Sequence, residues 1–154
     1  MLAKKIITIV SLVAIPVSLV ISAVVNAEPY SPYPGTLATK LVSVNSASSI
    51  EVSAETWPGF TRTFRISLSG IKLPQNSPDA KLCERKLAKE ALDFVTDYLS
   101  NAAKIEIHNM TMETSTDQNV QAELYTDKGN LGNALKNHGL ARSTNIKDDE
   151  EPWC

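Results

Sequence analysis

Phe60-Thr61-Arg62-Thr63-Phe64-Arg65-Ile66-Ser67-Leu68 is the stretch that decides the fold class. Phe64, Ile66 and Leu68 occupy every second position, with Arg65 and Ser67 between them. A strand sends successive side chains to opposite faces, so this pattern predicts a half-buried strand. Just upstream, Trp57-Pro58-Gly59 reads as a turn. Before it, Leu41, Val42 and Val44, then Ile50 and Val52, predict two further short strands. Asn45-Ser46-Ala47-Ser48 is the turn between them.

Downstream, Lys72 to Asp79 reads as a loop holding two prolines. Ser77-Pro78 predicts a helix start, with Ser as N-cap, Pro at the first helical position and Asp79 in the first turn. Leu87, Ala88, Ala91, Leu92, Val95 and Leu99 form an apolar stripe carrying the helix to about Leu99. Ile105-Glu106-Ile107 predicts a fourth strand and Val120 to Tyr125 a fifth. Asn130 caps a short helix over Leu131 to His138, ended by Gly139 in the left-handed region. Three strands, a long helix, two strands and a short helix suit a mainly β fold. The pattern fits a five-stranded Greek-key barrel of the OB type. An open antiparallel sheet with helices on one face would read the same way.

The chain has 154 residues and a hydrophobic fraction of 43%, which excludes a disordered chain and a polytopic membrane protein. Lys4 and Lys5 precede an uncharged apolar run of 20 residues, Ile6 to Val25, and Val25-Asn26-Ala27 offers small residues before Glu28. Residues 1–27 therefore read as a secretory signal peptide or as an N-terminal membrane anchor, the run being long enough to span a bilayer. Both readings export the rest: residues 28–36, rich in proline, as a linker and residues 37–154 as one domain. The expected location is periplasmic or secreted, or the inner membrane if residues 6–25 stay uncleaved. The 15 basic side chains fall to 13 once Lys4 and Lys5 leave with residues 1–27, against 17 acidic ones, a net charge of −4. That balance argues for weak or no binding to nucleic acid.

Several stretches together resemble the staphylococcal nuclease (thermonuclease) family over roughly residues 38–154. They are Leu131-Gly132-Asn133-Ala134-Leu135 with Gly139-Leu140-Ala141-Arg142, and Cys83-Glu84-Arg85 followed by Leu87-Ala88. Ser69-Gly70-Ile71 with Pro74, Trp57-Pro58-Gly59 and the terminal Trp153-Cys154 complete the set. The resemblance implies an OB-type barrel and, in active members, calcium-dependent cleavage of phosphodiester bonds. That chemistry needs carboxylates to hold a hard cation, a carboxylate to act on water, and arginines to stabilise charge on the phosphate.

This chain departs from the family at each of those places. The family's D-G-D-T turn corresponds to Ser46-Ala47-Ser48-Ser49, so Ser46 and Ser48 stand where metal-binding aspartates would. Its R-L-x-G-I-D-x-P-E segment corresponds to Ser67-Leu68-Ser69-Gly70-Ile71-Lys72-Leu73-Pro74-Gln75. Ser67 replaces an arginine, Lys72 a metal-binding aspartate and Gln75 the catalytic glutamate. Its G-R-x-L-A segment corresponds to Gln118-Asn119-Val120-Gln121-Ala122, with Asn119 for the second arginine. Arg65 lies on the same strand face as Ser67 and is the arginine placed to stand in for it. The expectation is a binding or interaction module in the cell envelope, with a protein partner and without cofactor. The alternative is an active calcium-dependent nuclease acting on DNA or RNA.

The remaining residues read as structural. His108 and His138 lack a paired metal spacing, Met110 and Met112 as packing residues, and Tyr125 as core. Tyr30 and Tyr33 sit in the linker. Lys81, Arg85, Lys86 and Lys89 form a solvated helix face broken by Glu84 and Glu90. Cys83 and Cys154 are the two cysteines of an exported chain, which predicts a single disulfide pinning the tail to the long helix.

Overall fold

The computed structural model describes residues 35–112, 116, 118–144 and 153–154. The expected signal or anchor, most of the linker with Tyr30 and Tyr33, and the acidic Asp148–Glu151 stretch lie outside them.

β1 (Thr36–Ser46), β2 (Ser49–Trp57) and β3 (Phe60–Leu68) form an antiparallel meander; β1 and β2 are longer at both ends than their apolar positions alone indicate, and β3 has the expected bounds. A register shift between Leu41 and Ser43 brackets Val42, which is left 54% exposed. An extra residue in one strand interrupts the inside–outside alternation there. A two-residue strand, β4 (Ile71–Lys72), follows a turn in which Gly70 adopts φ +74°.

The long helix α1 (Leu82–Ser100) starts at Leu82 and not at Ser77. Ser77 and Pro78 open a turn, closed by the Ala80 N–H donating to the Ser77 carbonyl at 3.1 Å. Ser at the first turn position and Pro at the second suit such a turn as well as they suit a helix start. Lys81 then stays extended, with ψ 151°, and its carbonyl accepts the first helical bond, from Arg85 N–H. Ala88, Ala91, Val95 and Leu99 of the expected stripe are buried.

β5 (Ile105–Thr111) and β6 (Asn119–Thr126) complete the main strands, and β7 (Gly129–Asn130) folds back on β6. The short helix α2 (Leu131–Asn137) begins where the Asn130 side chain accepts from Asn133 N–H at 2.9 Å. It ends with Leu140 N–H donating to the Leu135 carbonyl at 2.9 Å across Gly139, at φ +70°. Leu135 and Leu140 are both buried, as this type of helix end favours. β8 (Arg142–Ser143) pairs with β4.

The sheet runs β3-β2-β1-β5-β6, and β3 also pairs with β6, in parallel. That second pairing closes a mixed five-stranded barrel of the OB type with one long and one short helix. It removes both edges, which an open sheet would leave unpaired. The interior holds Ile50, Val52, Phe64, Ile66, Ile107, Val120 and Leu124, each at most 2% exposed. Each such side chain contributes about 1.5–3 kcal/mol by leaving water. α1 packs Ala91, Val95 and Leu99 onto the same core, and α2 adds Leu131 and Leu135.

Candidate functional site

Four of the residues singled out by sequence meet in one cleft. Ser48 comes from the β1–β2 turn, Ser67 from the outward face of β3, Lys72 from β4 and Gln75 from the loop beyond it. All four line a cavity of about 690 Å³. Their convergence follows from local structure. Ser67 alternates with the buried Ile66, so it faces outward. Gly70 then turns the chain, and the β4–β8 pairing of Lys72 with Arg142 fixes where Lys72 sits. Leu73 and Pro74 are buried behind it, which anchors the loop that presents Gln75.

Gln75 is held at both ends. Its backbone N–H donates to Glu84 Oε1 at 2.9 Å, and its Nε2 donates to the Leu73 carbonyl at 3.2 Å. Ser46 lines a second cavity of about 400 Å³, which shares Ser48 and Gln75 with the first. The Ser46 and Ser48 hydroxyls are 3.0 Å apart.

Asn119 lies outside this lining. It stands opposite Arg65 in the parallel β3–β6 register, and Arg65 stands opposite Glu51 in the β2–β3 register. The Arg65 guanidinium donates to Glu51 Oε1 at 3.0 Å and to Asn119 Oδ1 at 3.3 Å. Arg65 is thereby turned along the barrel wall, and it does not line the cavity beside Ser67, contrary to the expectation from the sequence. The Glu51 carboxyl is held below its ordinary value by Arg65 and then by the Ser43 hydroxyl, which donates at 3.0 Å.

The cleft also holds residues that the sequence did not single out as site residues: Asp79, Lys81, Glu84 and Trp153. Lys81 and Glu84 read as solvated helix face, yet α1 begins beside the Gln75 loop and places its first turn on the cleft wall. Trp153 reaches it because Cys154 is disulfide-bonded to Cys83, with Cα atoms 6.2 Å apart. The Arg142 guanidinium lies 4.3 Å from the centre of the Trp153 ring.

Tyr125 is half-buried and stacks on His108 at 4.2 Å, and His138 packs on Phe94 at 4.7 Å. Met110 and Met112 are buried in the core.

The donor set does not fit a calcium site. That ion takes 6–8 oxygen ligands, several of them carboxylate. Here Asp79 and Glu84 are the only carboxylate side chains of the described lining, Glu84 accepts from Gln75 N–H, and the Lys72 ammonium shares the wall. Among the described residues, no three His, Cys, Asp or Glu side chains stand close enough to hold a metal ion. The arrangement is one of hydroxyl, amide, ammonium and two carboxylate groups beside apolar side chains, around a cleft of ligand size.

The class these features define is an OB-type barrel with a disulfide-clamped tail and a cleft of mixed polar and apolar lining. Comparison with models of known protein families gives no match, and comparison with curated proteins gives none either.

Proposed function

We propose that this chain is an exported, catalytically degenerate member of the staphylococcal nuclease family that binds a ligand or an envelope protein partner and cleaves no phosphodiester bond. One observation carries the reading: Ser48, Ser67, Lys72 and Gln75 share one cleft wall, with hydroxyl, ammonium and amide groups where hydrolysis needs carboxylates and arginine. A glutamine amide does not take up a proton near neutral pH, so it cannot act as the base. The Cys83–Cys154 bridge supports export, because disulfides persist in oxidising compartments. The apolar Ile6–Val25 run supports delivery through or into the membrane.

A second reading, an active nuclease, rests on Asp79 and Glu84 in the same lining. One experiment separates the two. Purified protein is incubated with single-stranded DNA and RNA, in calcium and in chelator. The binding reading expects no turnover in either, and weak nucleic-acid binding that falls steeply with salt. Calcium-dependent turnover abolished by D79N or E84Q would establish the nuclease instead.

A further inference from the structure

One surface of the barrel has a position in the fold that points to an occupant. Trp57 and Phe60 are 74% and 61% exposed, and they face each other in register across the Pro58-Gly59 turn. The turn is held in shape. Gly59 adopts φ +77°, its N–H donates to the Glu55 carboxylate, and Thr56 Oγ1 donates to the Phe60 carbonyl at 3.4 Å. Two large aromatics are thus kept in water on a preorganised tip. The other large exposed apolar side chains of the described residues lie elsewhere: Val42 at the irregularity in β1 and Leu82 at the start of α1.

The register says which end of the barrel this is. Thr39 pairs with Ala54 and Ser46 with Ser49, so β1 begins at the end where β2 finishes in Trp57. The chain therefore enters the barrel beside the aromatic tip. Ten residues, 26–35, separate the Ile6–Val25 run from β1. Ten residues span at most about 35 Å fully extended. A chain anchored by residues 6–25 would hold this end of the barrel toward the bilayer and the cleft-bearing wall away from the anchor.

We propose that the Trp57-Pro58-Gly59-Phe60 tip seats in the headgroup interface of the membrane that holds the N-terminal segment. The inference rests on the anchor reading of residues 1–27. Trp and other amphipathic aromatics concentrate at that interface, where an apolar ring and a polar edge are both satisfied. Tyr30 and Tyr33 of the intervening sequence are of the same chemical kind. The seating uses apolar surface, so zwitterionic lipid suffices and salt does not release it.

The test uses the full chain reconstituted in phosphatidylcholine vesicles whose acyl chains carry bromine, a short-range quencher of tryptophan. Trp57 and Trp153 are the two tryptophans, so W153F reports Trp57 and W57F reports Trp153. Circular dichroism checks that each variant is folded. Flotation of the chain with the vesicles, resistant to high salt, is the readout of the anchor. The expected result is a blue-shifted Trp57 that loses most of its emission in brominated vesicles, with Trp153 losing little. A floating chain whose Trp57 is quenched no more than Trp153 overturns the tip proposal and leaves the anchor reading standing. A chain that does not float overturns both. A Trp57 blue shift that depends on protein density and not on bromine assigns the tip to a second copy, and also overturns the proposal.

Discussion

Replacing Cys154 by Ser removes the one covalent tie between the tail and the body of the domain. The bridge spans 71 residues of sequence, closing a loop that contains most of α1, both later strands of the barrel and α2. In the loop-entropy account, a loop of that size restricts the unfolded chain by about 4 kcal/mol at room temperature. Both cysteines are exposed, so the substitution opens no cavity in the core and adds little packing loss to that figure. For a domain covering residues 37–154, an unfolding entropy of about 2.1 cal/mol/K per residue converts the loss into a fall in Tm of about 15 °C. Differential scanning calorimetry of C154S, C83S and the reduced wild type measures it. All three should fall together, because each removes the same constraint. The loosened tail should also release Trp153 from Arg142, seen as altered tryptophan emission, and become open to proteolysis. A shift smaller than about 4 °C, corresponding to less than roughly 1 kcal/mol, would refute the claim that the bridge stabilises the domain. Two alkylated thiols in the unreduced protein would remove its basis altogether.

Three further outcomes follow from the packing and the charge pairs. Leu124→Ala, at a fully buried position facing the barrel interior, should lower unfolding free energy by about 2–5 kcal/mol in urea titration. Asn130→Ala removes the side chain that accepts from Asn133 N–H and should cost about 1 kcal/mol by the same measurement. Glu51 should titrate below an ordinary glutamate when followed by NMR, because Arg65 and then Ser43 donate to its charged form. A depressed native value stabilises the fold above the unfolded pKa, and that contribution is lost as pH falls through the native one. R65Q should move the Glu51 midpoint upward and flatten this acid dependence.

The local elements of this protein are legible in its sequence because they are written with short periods. The alternation of Phe64, Ile66 and Leu68 marks β3, the Ala91–Val95–Leu99 spacing marks α1, and Asn130 with Gly139 brackets α2. The Cys83–Cys154 pairing is equally legible, since two cysteines allow one bridge. Closure of the barrel is not. It depends on a parallel pairing of β3 with β6, between residues 54 apart in sequence such as Arg65 and Asn119, and alternation along either strand is the same whether its edge is paired or free. The start of α1 is likewise decided in three dimensions, because Ser77-Pro78 serves a turn as readily as a helix cap. So is the make-up of the cleft. Ser48, Ser67, Lys72 and Gln75 are picked out from the chain, but Asp79, Lys81, Glu84 and Trp153 join them only through the path of one loop and the tie at the tail. Side-chain chemistry is a property of the sequence; which side chains share a wall is set by long-range pairing, which no local pattern encodes.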